Sequence, residues 1–364
     1  MAYTTIDDPS AHFQVKTYSG NSTQTAITFD GSSNLQPDLI WAKSRSNAHY
    51  HDWRDTSRGL TKRLYTNGAN EEDTKSASYV SFDSNGFTLG DDQSGGSNAN
   101  TVNSSSNNYV SWCWKANGGT TSSNSDGDIT TTVQTDSTAG FSIITYTGNG
   151  NNLDTIGHGL GATPDFAVVK GRSASSNTKR WFVKIPAVCG NSEILEWDTT
   201  NGKQDSGNGI ETMGSSTITL GIDTGNANST NESSETYVCY AWKNIQGYSK
   251  FGSFVGNNSS DGAFVYLGFK PAWIMIKSSA TGGSNYDWVI FDNKRNTFNV
   301  RDNTLDANLS NAEVTSGRNE VDFLSNGFKC RSSYADVNSN TTYIYMAFAE
   351  HPFVSSKGVP VTAR

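Results

Sequence analysis

Three segments of this chain repeat one pattern, and the repetition limits the fold more than any other feature. Each copy has a proline leading into an apolar run that ends in lysine. These are Pro37-Asp38-Leu39-Ile40-Trp41-Ala42-Lys43, Pro164-Asp165-Phe166-Ala167-Val168-Val169-Lys170 and Pro271-Ala272-Trp273-Ile274-Met275-Ile276-Lys277. An aromatic-rich run closing on Gly-Asn stands upstream of each, at 13–21, 141–149 and 251–257. A Trp-bearing run follows downstream, at Trp53, Trp181 and Trp288, and an aromatic run closes each copy at 109–115, 237–243 and 343–349.

The local pattern is that of strands. Val110, Trp112 and Trp114 alternate with Tyr109, Ser111 and Cys113, which is period two and not the helical period. The segment 80–87, with Asp83-Ser84-Asn85-Gly86, matches 321–328, with Leu324-Ser325-Asn326-Gly327. Asn-Gly between alternating apolar residues predicts a hairpin with a type I′ turn. The second copy keeps only a relic of it at 216–221. Short β-branched and aromatic runs separated by turn residues give an all-β fold of three tandem β-sandwich domains, with boundaries at 1–118, 119–245 and 246–364, the last carrying a C-terminal tail. Each copy is long enough to hold its own core, so the expectation is beads in series. A Gly/Ser/Asn linker at 117–128 separates the first two, and only 244–250 separates the second from the third.

Charge narrows the partners. The chain has 27 basic and 35 acidic residues, a formal net charge of −8, and no basic run. Phosphate recognition needs clustered Lys and Arg, so nucleic acid is not an expected partner. No apolar run approaches the roughly 18–20 residues of a membrane span, and the polar opening MAYTTIDDPS lacks the features of a secretory signal. Synthesis and folding in a cytoplasm are expected. Cys113, Cys189, Cys239 and Cys330 are far apart without CxxC or Cys/His spacing, so buried free thiols are expected. No metal site and no cofactor are expected.

Candidate chemistry lies in the loops. Glu193, Glu196 and Asp198 offer carboxylates for glycoside hydrolysis, but in an order with no counterpart in the other copies. His49 and His51 have a spacing that a metal uses, without an evident third ligand; His158 and His351 stand alone. Acidic turns at Asp126-Gly127-Asp128, Asp91-Asp92 and Asp223 with Asn226 match no calcium loop and are expected to be solvated. Aromatic faces stack on sugar C–H groups while amides and carboxylates bond hydroxyls. On that ground Tyr50 and Trp53 in the first copy, and Tyr286 and Trp288 in the third, are the candidate ligand-binding residues. Trp41, Trp112, Trp181 and Trp273 are assigned to the core.

The opening AYTTIDDPSAHFQ, the segments TYSGN, PDLIWAK, DTSRG, SFDSNGFTLG and NYVSWCWKA, and later GYSKFGSFVGN, FVYLGFKPAWIMIK, WVIFDNKRN, DFLSNGFK and YMAFAEHPFVSSKGVPVTAR resemble a repeated module of marine bacteriophage virion proteins. The resemblance covers essentially the whole chain. It implies a tail-fibre-like or virion structural protein, cyanophage-like, with jelly-roll, concanavalin A-like sandwiches. It brings no catalytic residue with it. The function it implies is a non-enzymatic component of the particle exterior, either tail fibre and adhesin or capsid decoration. Localisation to the virion, contacts with other virion proteins and a host surface glycan, and homo-oligomers, with trimers by family analogy, are expected. The alternatives are a carbohydrate-binding, lectin-like module and a polysaccharide depolymerase.

Overall fold

The structure is a computed structural model that describes residues 3–91, 102–173, 179–222, 228–280, 282–283, 285–315 and 317–361. It is all-β, and the three repeats build the same pair of antiparallel sheets. In the first unit the large sheet runs in the order Phe13–Ser19, Asn108–Trp114, Leu39–Ser44, Asp52–Asp55, and the small one Thr25–Thr28, Gly86–Leu89, Tyr79–Asp83. The third unit repeats this with Ser249–Val255, Thr342–Pro352, Phe269–Ser278, Val289–Asp292 and Leu305–Asp306, facing Phe264–Tyr266, Gly327–Cys330 and Val321–Leu324. The second unit has Phe141–Thr147, Thr236–Trp242, Phe166–Gly171 and Trp181–Lys184, extended on both edges to eight strands, over Thr155–Gly157, Thr217–Leu220 and Ile210–Met213.

Period-two alternation sends the two faces of each large sheet to different places. One face meets its own small sheet. Cys113, Ile40 and Ala42 pack with Ile27, Phe87 and Leu89 in the first unit. Cys239 packs with Ile156, Ile218 and Leu220 in the second, and Tyr345 with Val265, Phe323 and Phe328 in the third. The opposite face carries Val110, Trp112 and Trp114, then Val238, Tyr240 and Trp242, then Ile344, Met346 and Phe348, and these nine residues belong to one interior shared by all three units. The units are therefore not independent beads. All nine tryptophans of the chain lie in this shared core. Rings meet across units, Trp53 with Trp181 at 5.6 Å, Trp41 with Trp273 at 6.3 Å and Trp197 with Trp288 at 5.8 Å. At about 1.5–3 kcal/mol for each large apolar side chain removed from water, this interior is the main source of cohesion between units.

Matching strand registers show which residues are equivalent, and the contacts between units run cyclically. Leu39, Phe166 and Trp273 face Trp114, Trp242 and Phe348, so Trp112, Tyr240 and Met346 share one position. Backbone N–H groups of Glu313, Glu72 and Lys203 donate to the carbonyls of Arg45, Arg172 and Ser279 at 2.8, 2.9 and 2.6 Å. The first unit thus meets the third, the second meets the first, and the third meets the second. Three seams close a ring.

Several repeated motifs prove to be internal fastenings. Asn103, Asn231 and Asn338 are buried, and their amide oxygens accept the backbone N–H of Asn21, Asn149 and Asn257 at 3.1, 3.0 and 3.1 Å, which fixes each Gly-Asn turn. Asp38 of the first Pro-Asp collects the N–H groups of Ala116, Gly118 and Gly119 at 2.7–2.8 Å and so ties down the start of the linker. The Asn-Gly hairpins differ from expectation. Asp83 pairs with Gly86 and Leu324 with Gly327, so the turn residues are Ser84-Asn85 and Ser325-Asn326, and neither asparagine has positive φ. Each glycine instead opens the return strand where a neighbour comes close: a Cβ on Gly86 would lie 2.0 Å from the carbonyl oxygen of Ile27, and one on Gly327 2.1 Å from that of Val265.

Candidate functional site

Two of the four expected ligand-binding residues are not on the surface. Trp53 and Trp288 are 0% and 1% exposed and sit in the shared core, so neither ring face is open to a sugar. Trp53 is enclosed by Trp41, Trp181, Trp197 and Tyr240 at ring separations of 5.1–5.6 Å. Strand register supplies the reason. Residues on the Trp-bearing strands that share parity with Trp53 and Trp288 face the ring interior, alongside Val183 and Ile290. Tyr50 and Tyr286 are half-buried, and Tyr50 lies edge-on to Tyr65 at 5.4 Å.

The register makes His51, Trp181 and Trp288 equivalent, and each sends a ring N–H across a seam. Trp181 donates to the carbonyl of Tyr65 at 2.8 Å, and Trp288 to those of Glu196 and Thr199 at 3.2 Å. His51 accepts the Trp41 indole N–H on Nδ1 at 2.8 Å. Its Nε2 therefore carries the proton and donates to the carbonyls of Asp306 and Leu309 at 3.1 and 3.0 Å. Burial, with Lys43 nearby, pushes this imidazole down to about 3. His51 is a neutral spacer committed at both nitrogens, so the His49/His51 spacing serves packing. Among the described residues no group of three or more His, Cys, Asp or Glu is placed to hold a metal ion.

The carboxylates of the second unit have an equally structural setting. Asp198 Oδ1 accepts the backbone N–H of Trp181 at 3.3 Å. Asn67 does the same for His51 at 3.0 Å and Asn308 for Trp288 at 2.9 Å. One position in three units thus caps one backbone N–H, and an amide suffices for it. Arg180 lies between Asp198, at 3.0 Å, and Glu196, at 3.6 Å. Burial raises both carboxyls above their ordinary range. Glu193, three residues from Glu196 on a strand, pairs instead with Lys203 at 2.8 Å. Of the acidic turns, Asp128 accepts the N–H and hydroxyl of Thr155 at 3.0 and 2.7 Å. Asp91 is exposed, and Asp92, Asp223 and Asn226 lie outside the described residues. The four cysteines are buried and unpaired with one another.

A site the sequence did not reveal opens at the seam between the first and third units. It is a cleft of about 200 Å³. Phe13, Val15, Ala272 and Ala349 supply its apolar lining, and Asp8, Asp30, Asn293, Lys294, Glu350 and His351 its polar one. Lys294 of the third unit crosses to Asp30 at 3.0 Å, and Lys16 holds the other Asp30 oxygen at 3.2 Å. Those two ammonium groups, opposing the effect of burial, keep the Asp30 carboxyl below its ordinary range. Asp8 is fixed by Ser10 and Ser33, and Glu350 by Lys270 at 2.8 Å. Asn293 is anchored through its backbone N–H to the Ala272 carbonyl at 2.9 Å, while its buried Oδ1 has no hydrogen-bond partner. The lining comes from five separated stretches of chain, so no linear motif marks it.

A family model described as a domain of unknown function, DUF7483, matches residues 8–352, and the chain belongs to that family. No curated protein and no solved structure matches it.

Proposed function

We propose that this DUF7483 chain is a non-enzymatic structural component of a bacteriophage particle's exterior, of the tail-fibre or capsid-decoration type, that makes contacts with the shell or a host surface. The observation that carries the reading is the closed ring. Three sandwiches are packed around one aromatic interior, and each turns its small sheet away from it. Repeated outer faces on one body suit multivalent contact, where several weak attachments raise avidity through effective concentration. The sequence resemblance to virion modules over the whole length supports the same reading. So does the use of repeated polar residues, which fasten turns and seams: Asn103, Asn231 and Asn338 at the turns, Asn67, Asp198 and Asn308 at the caps.

Locating the protein in an intact particle by cryo-electron microscopy tests this. Density on the capsid lattice would mean decoration, density on the tail a fibre, and absence from the particle would refute the proposal. Incubating the purified chain with host polysaccharide and assaying reducing ends tests the depolymerase alternative; sugar release abolished by Glu196→Gln would favour it. Mass photometry reads the association state, with one 39.3 kDa chain or a trimer of it as the outcomes compared. A glycan-binding role is favoured by one observation, the cleft between the first and third units.

A further inference from the structure

We infer that the cleft between the first and third units is a binding site for one polyhydroxylated ring, a single sugar residue in size. The inference deepens the contact-protein reading and rests on it only for biological purpose; the chemistry stands on the cleft. Its volume of about 200 Å³ is below the roughly 300–1,000 Å³ of pockets that enclose drug-sized ligands, so an extended chain is not accommodated but one compact ring is. The lining divides as a sugar divides. Phe13, Val15, Ala272 and Ala349 offer an apolar wall for C–H groups, and carboxylates, an amide and hydroxyls offer partners for O–H groups.

Two features point to a hydroxyl-bearing ligand. Asn293 Oδ1 is buried in this lining without a donor, and a buried acceptor left unpaired costs about 1–3 kcal/mol. A turn of the Asn293 amide toward the cleft would give that acceptor a sugar hydroxyl as donor. The second feature is balance. Asp8, Asp30 and Glu350 accept, whereas the Lys294 ammonium donates, and a hydroxyl does both. An anion would meet three carboxylates. A simple cation would find Asp30 already held by Lys16 and Lys294, and Glu350 by Lys270. The neutral polyol fits both halves.

Saturation-transfer NMR with the full chain and a panel of free D-glucose, D-galactose, D-mannose and N-acetyl-D-glucosamine tests the site. At least one probe is expected to show transfer at millimolar concentration. Two variants then locate it. Asn293→Leu removes the acceptor, and Ser32→Trp puts a bulky ring at an exposed lining position without touching the core; each is expected to weaken that probe roughly tenfold or more. Folding of both is checked by circular dichroism, and if Asn293→Leu fails to fold the exposed Ser32→Trp decides. No transfer from any probe, or transfer unchanged in the folded variants, would overturn the inference. Absence from the particle would sink the structural role and leave this result standing.

Discussion

The indole N–H of Trp112 donates to Asp292 Oδ2 at 3.0 Å and fastens the last strand of the first unit to the third. At the same position in the second unit the Tyr240 hydroxyl donates to Asp55 Oδ2 of the first unit at 2.6 Å. Arginines complete both seams. Arg58 meets Asp55 at 2.5 Å and Glu72 at 3.0 Å, and Arg295 meets Asp292 at 2.5 Å and Glu313 at 3.1 Å. At the remaining seam the corresponding residues are Met346, Ile185 and Val188, so the same place is apolar.

That difference sets a comparison. Arg58→Val alone leaves Asp55 buried without its counter-charge and is expected to cost about 3–5 kcal/mol in urea unfolding. The triple change Asp55→Ile, Arg58→Val, Tyr240→Met copies the dry seam and is expected to recover most of that loss. A triple variant no more stable than Arg58→Val would show that the seams are not interchangeable.

Trp197 touches Trp41, Trp53, Phe166, Trp181 and Trp288, residues of all three units. Trp197→Ala is expected to cost about 3–5 kcal/mol. Because the interior is common, far-UV circular dichroism and tryptophan fluorescence should report a single coincident transition. Separate transitions for separate units would contradict a shared core.

Stability should rise with pH just above neutrality. Burial pushes Lys43, Lys170 and Lys277 down to about 7. An unfolded lysine keeps its proton to about 10.4, so above about 7 the unfolded chain binds more protons and stability rises with pH. Asp306 works oppositely. Burial, with Asp287 and Asp336 nearby, holds it up to about 7, so its contribution falls as pH rises from about 4 to 7, while His51, held down to about 3 by burial, contributes in the opposite sense up to about 6.5. Above about 8.5 the buried thiols Cys113 and Cys239, raised by burial, also oppose the lysines. Urea midpoints between about pH 7 and 8.5 should therefore rise, and a Lys43→Met, Lys170→Met, Lys277→Met variant should lose that slope.

The thiols give a direct check of burial. Cys113, Cys189, Cys239 and Cys330 are expected to resist Ellman's reagent in the native protein and to react, all four, in denaturant. Rapid native labelling would mean that the sheets open readily.

The repeat and the strand pattern were legible because period two is written locally: Val110, Trp112 and Trp114 alternate visibly with Tyr109 and Cys113. What the second face packs against is a long-range property, and the reading of three separate cores missed it. Trp53 and Trp288 were misassigned for the same reason, since an aromatic on a strand looks alike whether it faces solvent or another unit. Gly86 and Gly327 read as turn residues until the neighbouring strand, far away in sequence, showed what they make room for. The cleft joins 8–15 and 30–32 to 272, 293–294 and 349–351, and no spacing encodes that meeting.

Two residues beyond the aligned leucines Leu64, Leu195 and Leu305 stand Thr66, Trp197 and Ala307, and the Thr66 hydroxyl reaches the Ala307 carbonyl at 2.8 Å. Three identical subunits would have to place the same side chain at this spot three times over: three indoles would crowd it, three alanines would leave it hollow. Covalent fusion removes that obligation. One copy can bring bulk, a second a hydroxyl, a third almost nothing, and a substitution there is felt once, not in triplicate.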